Sequence, residues 1–212
     1  MTSPETTSGR PLRVGLMGGT FDPIHVAHLV CAEAALEQLA LDKVVFIPAN
    51  VPPHKQQKKI TPAEDRYNLV VLATASNPRF EVSRIELDRP GPSYTLDTLE
   101  EMRRRSAPGT ELFFITGTDA IVGVESWHNP DRLFQLARFA AAPRPGVPRE
   151  TVEEELRRLE KRFGQRIVIV ECPALDISSS DLRRRAASGR PIKYLVPEAV
   201  EAYILKHGLY RP

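Results

Sequence analysis

The densest concentration of reactive side chains is the run Gly18-Gly19-Thr20-Phe21-Asp22-Pro23-Ile24-His25-Val26-Ala27-His28, directly after a short apolar segment. Paired glycines let backbone approach a ligand closely. A helix starting just beyond them aims unsatisfied N–H groups and the positive end of its dipole into the same space. His25 and His28 stand three residues apart, the spacing of one helix face. Two imidazoles beside such a cradle suit hydrogen bonding to phosphoryl oxygens as negative charge builds. The run is neither the dinucleotide fingerprint GxGxxG nor a P-loop, since no Gly-Lys-Ser/Thr follows. Its His-x-x-His spacing is not that of HExxH, and no metal ligands are assigned. A second anion site is legible in Ile177-Ser178-Ser179-Ser180-Asp181-Leu182-Arg183, where serines open a helix and Arg183 adds a fixed charge one turn in. Taken alone, each run also reads as ordinary structure: two exposed histidines after a turn, or a serine cap before a solvated arginine face. The glycine pair, the proline and the preceding strand together favour a phosphate site.

Residues of this kind need a scaffold that brings strand ends together. Apolar runs at 12–17, 43–48, 80–83, 111–116, 138–142 and 167–170 have strand lengths, and two of them end at Gly18 and Gly117. Helical patterns lie between them. One is expected to begin with Asp22 as N-cap and Pro23 at its first position and to run to about Leu39. Thr61-Pro62-Ala63-Glu64 has the form of a capping box. Further helices are expected over 95–105, 130–137, 149–163, 179–188 and 197–207, with Ser93 or Thr95 capping the first of these. Strands buried on both faces and separated by helices imply an α/β fold with a doubly wound parallel sheet. Ligands of such sheets bind beyond the carboxyl ends of the strands, where strand order reverses. Residues 1–10 are expected to be a disordered tail and 11–212 a single domain, with about 172–212 forming a small helical subdomain at its C-terminal end.

Composition narrows the function classes. A formal net charge of +2 over 212 residues does not suggest a nucleic-acid partner. No apolar stretch reaches the ~20 residues of a membrane span, and the polar N-terminus lacks a signal-peptide centre, so a cytoplasmic location is expected. Cys31 and Cys172 show no metal spacing and read as two buried thiols in a reducing compartment.

In longer context the chain resembles a known family. Gly18–His28 resembles the (H/T)xGH motif of the nucleotidyltransferase superfamily, and Ile177–Arg183 resembles its ISSTxxR motif. Ile47-Pro48-Ala49-Asn50-Val51-Pro52-Pro53-His54-Lys55, Ser93-Tyr94-Thr95-Leu96-Asp97-Thr98-Leu99, Gly117-Thr118-Asp119-Ala120 and Trp127 look like bacterial nicotinate-nucleotide adenylyltransferases, in consistent order from about Leu12 to Tyr210. The resemblance implies a Rossmann-like fold and adenylyl transfer from ATP to nicotinate mononucleotide, with Mg²⁺ held mainly by the ATP phosphates. It also implies roles. Gly18, Gly19, Thr20, Phe21, His25 and His28 would hold ATP, with Ser179, Ser180 and Arg183 on its β- and γ-phosphates and Gly117 and Asp119 at the ribose. Asn50 and Lys55 would meet the acceptor, Lys55 at its phosphate, while Thr95 and Trp127, the latter read as an exposed indole, would frame its pyridine ring. His25, His28 and Arg183 would be the catalytic groups. Ala27 stands where the family has glycine and Ser180 where it has threonine; both suit their positions. The roles of His128 and Arg144, and any homo-oligomer, are left open. Rival readings are a pantetheine-phosphate enzyme of the same fold, a non-catalytic nucleotide sensor and a nucleic-acid binder.

Overall fold

A computed structural model of the chain describes residues 10–52, 60–143 and 149–211. Six strands form one wholly parallel sheet: β1 (Arg13–Gly19), β2 (Lys43–Pro48), β3 (Phe80–Val82), β4 (Glu111–Gly117), β5 (Arg138–Ala142) and β6 (Ile167–Ile169). Their order is β3-β2-β1-β4-β5-β6. The chain winds outward from β1 to β3, returns to the centre at β4 and winds the other way, so the switch point lies between β1 and β4. The registers Val14↔Lys43 and Val14↔Leu112 align the three central strands, which brings the ends of β1 and β4 to the same edge.

Side-chain alternation divides the core in two. From β1 and β4, Val14, Leu16, Leu112 and Phe114 face one layer, which holds α3 (Thr95–Arg105), α5 (Pro130–Leu136) and α6 (Arg149–Phe163). Met17, Phe113 and Ile115 face the other, with α1 (Val26–Gln38) and α2 (Ala63–Thr74). Leu182 of α7 (Ser179–Ala187), Val200 and Ile204 of α8 (Glu198–Lys206), and Ile192 and Val196 between them, are buried in this second layer. A short helix α4 (Thr118–Val122) and a 3-10 turn at Val124–Ser126, absent from the sequence reading, follow β4. Among the described residues no helix is long and apolar enough to cross a membrane.

Several helix starts differ from expectation. Helix α1 begins at Val26 with His25 as its N-cap, not at Pro23 with Asp22. The Asp22–Pro23 peptide is cis, and the Asp22 carboxylate binds distant partners instead: it accepts from Tyr210 Oη at 2.9 Å and from the Thr61 N–H at 3.4 Å. His25 and His28 themselves form the capping box, His28 Nδ1 accepting from the His25 N–H at 3.2 Å. Thr61 is likewise not a cap: α2 starts at Ala63 after Pro62 with no side-chain cap bond. Neither Ser93 nor Thr95 caps α3, since Tyr94 occupies that position and Ser93 Oγ accepts from the Asn50 N–H at 3.0 Å.

The loops behind the strand ends are fastened by a buried arginine. Arg66 of α2 is 1% exposed and donates to Thr61 O at 2.9 Å, Thr20 O at 2.8 Å and Asn50 O at 3.1 Å. One planar guanidinium thus joins the turn after β1, the loop after β2 and the approach to α2. Burial pushes its pKa down from the ordinary value, against the pull of the Asp22 carboxylate and Tyr210. Removing this group leaves three carbonyls without their donor. Arg66→Ala is therefore expected to cost about 3 kcal/mol or more of unfolding free energy, measured by urea denaturation, and a loss below about 1 kcal/mol would contradict the clamp.

Candidate active site

At the switch point lies a cavity of about 490 Å³, walled by the glycine turn, the first turn of α1, the end of β4 and residues 175–183. That volume is in the range of small-ligand sites. Gly18, Gly19, Thr20, Phe21, His25, His28, Gly117, Asp119, Ser179, Ser180 and Arg183 all line it. The N-termini of α1 and α7 both open on it, so two helix dipoles present their positive ends to one space.

The histidines are stacked rather than side by side in solvent. Their ring centroids are 3.7 Å apart with planes inclined at 33°, and the Phe21 ring meets His28 edge-on at 5.2 Å. His25 is buried and His28 half-buried. Because Nδ1 of His28 accepts from the His25 amide, the proton of its neutral ring sits on Nε2. Phe21 has φ 48° and folds beneath the turn; a Cβ on Gly19 would stand 2.9 Å from its Cζ. Glycine is required there by contact, with Phe21 as the floor of the turn.

The second wall is bolted to the first. Ser178 caps α7, accepting from the Asp181 N–H at 3.2 Å. Ser179 Oγ donates to Pro23 O at 2.9 Å, and Arg183 Nη1 donates to Asp22 O at 2.7 Å. Arg183 Nη2 donates to Ser180 Oγ at 3.3 Å. Arg184 and Arg185 turn instead to Asp181. Burial and the Asp22 charge hold the Tyr210 phenol well above its ordinary pKa, so it stays a donor to that carboxylate.

Of the residues expected to take the acceptor, Asn50, Thr95 and Trp127 are not part of this cavity's lining. Lys55, with His54, falls outside the described residues, as does Arg144. Asn50 and Trp127 lie in loops and Thr95 opens α3, and contacts join the three segments. Asn50 Nδ2 donates to Arg89 O at 3.2 Å, and the Ser93 N–H donates to Val51 O at 2.9 Å. Tyr94, beside Thr95, faces His128, beside Trp127, at a centroid distance of 5.4 Å. Trp127 is half-buried rather than exposed: its ring packs edge-on against Phe114 at 6.1 Å and Phe139 at 6.3 Å, because the 3-10 turn folds it back onto the sheet. Phe114 in turn backs Gly18, where a Cβ would stand 3.3 Å from its Cζ. One ring therefore separates the indole from the glycine turn.

Sequence reasoning did not single out Asp22 as a hub, Arg66, Tyr210 or Glu86. Glu86 lies buried beneath the start of α3, where Thr98 Oγ1 donates to it at 2.6 Å and Arg89 Nη2 donates to Thr98 Oγ1 at 3.0 Å. Asp22 was visible only as a local cap, and the others carry no local signal.

A nucleotide-sized cavity between two helix N-termini at the switch point defines a nucleotide-binding α/β protein, and comparison refines the class. A family model described as Cytidylyltransferase-like matches residues 16–185, so the chain is a nucleotidyltransferase. Relatives named "Probable nicotinate-nucleotide adenylyltransferase" include one from Moorella thermoacetica, 54% identical over 203 residues that span 96% of this chain and 94% of the relative. Another, from Thermus thermophilus, is 51% identical over 200 residues, spanning 94% of this chain and 100% of the relative. The fold is shared with "Plasmodium falciparum nicotinic acid mononucleotide adenylyltransferase complexed with NaAD", with a TM-score of 0.75 at 19% identity, covering 94% of this chain and 97% of that one. The chain belongs to the nicotinate-nucleotide adenylyltransferases.

Two tests follow from the geometry. His28→Ala and Arg183→Ala should each lower kcat/KM by about 100-fold, the scale of one preorganised donor, with folding intact by circular dichroism. A change below about threefold in both would remove these groups from the transferring phosphates. The second concerns Glu86, whose pKa is raised chiefly by burial, against the hydrogen bonds from Thr98 and Ser93. A raised carboxyl contributes stability fully present below about pH 4 and lost as pH rises through its folded-state value. Glu86→Gln keeps an acceptor for Thr98 without a charge, so its urea midpoint should gain on the wild type from pH 4 to pH 8. A constant difference would show that Glu86 titrates normally.

Proposed function

We propose that this enzyme joins the adenylyl group of ATP to nicotinate mononucleotide, forming nicotinate adenine dinucleotide and pyrophosphate in NAD biosynthesis. The observation that carries the reading is the convergence of two helix N-termini, His28 and Arg183 on one cavity at the switch point. The triphosphate lies along that convergence. Gly18, Gly19 and Thr20 give backbone close to it, over the Phe21 floor, and His28 donates from Nε2 with His25 stacked behind. Ser179, whose hydroxyl proton is directed at Pro23 O, contributes its backbone N–H. Ser180 and Arg183 meet the β- and γ-phosphates, and Gly117 and Asp119 the adenosine ribose.

The acceptor's phosphate oxygen is already anionic. It attacks the α-phosphorus, the bond to the bridging oxygen breaks, and the electrons leave with pyrophosphate. No base has to remove a proton, so catalysis rests on alignment and on donors aimed at the growing charge. Mg²⁺ would enter with ATP, held mainly by its phosphates and water, and would neutralise part of the triphosphate charge.

The acceptor is assigned to the segments of Asn50, Thr95 and Trp127, with Lys55 at its phosphate. Helix α3 has no side chain on its first-turn N–H groups from its N-cap Tyr94. Such donors favour a carboxylate over an amide, whose NH2 would meet donors without a partner. The test is kcat/KM for nicotinate and nicotinamide mononucleotides at saturating MgATP, with product identified by mass. A preference for the acid of about tenfold to 100-fold is expected, from roughly 1.5–3 kcal/mol per charge-assisted hydrogen bond. A ratio near one would move the carboxylate away from α3, and no dinucleotide with either acceptor would overturn the assignment of the reaction.

A further inference from the structure

We propose that Cys31 and Cys172 form a modification site for small disulfides: a thiol pair that closes to an intramolecular disulfide and disables the nucleotide cavity. The sequence suggests two separate buried thiols, but both are half-buried and their Sγ atoms are 3.5 Å apart across 141 residues of chain. Cys31 lies one turn beyond His28 on the cavity side of α1 and lines the cavity itself. Cys172 stands at the head of the segment that descends to Ile177 and Ser178 on the opposite wall.

The two segments are held in register by a separate contact. Gln38, two turns beyond Cys31 on α1, donates through Nε2 to Glu171 O at 2.5 Å and accepts from the Glu171 N–H at 2.9 Å. A side-chain amide paired with the backbone next to Cys172 keeps that thiol over α1. The pair therefore meets with little loss of chain freedom.

The reaction is thiol–disulfide exchange. The thiolate of one cysteine attacks a sulfur of the reagent disulfide, whose S–S bond breaks and releases one reagent thiol. The second thiolate then attacks the protein sulfur of the mixed disulfide, forming the Cys31–Cys172 bond and releasing the second reagent thiol. Two protein thiols are oxidised, one reagent disulfide is reduced, and the protons end on the released thiols or in solvent. Bringing the sulfurs from 3.5 Å to bonding distance, about 2 Å, draws the two walls together. The wall that carries Ser178–Arg183 moves against the wall that carries His28. Displacement of about 1 Å in such a site costs up to roughly 100-fold in rate.

The experiment treats the full chain with glutathione disulfide and maps the product by mass spectrometry. The expected product has lost two hydrogens and links the peptides of Cys31 and Cys172. Its kcat/KM for ATP is at least about tenfold lower, dithiothreitol restores it, and MgATP slows formation of the link. Cys172→Ser, active when reduced, forms no link. Stable glutathione adducts without the cross-link would overturn the pair, and a cross-linked enzyme of unchanged kcat/KM would overturn its effect on the cavity. Only the kinetic arm rests on the proposed reaction. If the reduced protein fails to transfer adenylyl groups, the mapping and the MgATP protection still decide the thiol chemistry.

Discussion

Most of this architecture depends on one constraint: polar backbone exposed by the turns at the sheet's carboxyl edge has to be satisfied away from water. Three of those carbonyls, on Thr20, Asn50 and Thr61, converge on the Arg66 guanidinium. A lysine offers no planar fork and could not satisfy them in the same way. A buried cation in turn needs an anion, and the Asp22 carboxylate supplies it from within the glycine turn. Asp22 then draws in the Tyr210 phenol, while its carbonyl receives Arg183. The glycine turn that lines the cavity is thus positioned from behind by the buried Arg66 and Tyr210, with Asp22 as the link between them and Arg183.

This arrangement divides labour between the two sheet faces. On one, α1, α7 and α8 share a core, so the two helix starts that open on the cavity are set by the same apolar packing. On the other, Phe114, Phe139, Phe134 and Trp127 form a column of rings beneath Gly18. The cavity's helix starts and the Trp127 region are therefore supported by different cores that meet at β1 and β4. A change in one ring of the column can shift the glycine turn without touching the histidines.

The fold was legible because the four inner strands, β1, β2, β4 and β5, are buried along most of their length and read as continuous apolar runs, and the helices between could only be crossovers. The walls of the cavity were legible for a related reason: glycines, imidazoles and serines at helix starts carry their signal in local spacing. Local spacing also misled. Asp22-Pro23 has the composition of a cap, yet Tyr210 and Thr61 outbid the helix for that carboxylate, and His25 took the vacant position. Arg66 sits beside Asp65 in a helix and reads as a solvated charge; only its three partners, far apart in sequence, show otherwise. Trp127 was read as exposed because its neighbours are polar, whereas the turn at Val124–Ser126 folds it onto Phe114.

The bond from Tyr210 to Asp22 joins positions 188 residues apart. Its consequence concerns the order in which a growing chain acquires its parts. Strand β1 and the glycine turn leave the ribosome long before Arg183 and Tyr210, and α7 and α8 bring core residues that the first helix needs. A nascent chain can gather its central strands early, but the Asp22 carboxylate then waits for its phenol and α1 for its apolar cover. The two walls of the cavity therefore come together only after α7 has been made, long after the glycine turn that forms the first of them.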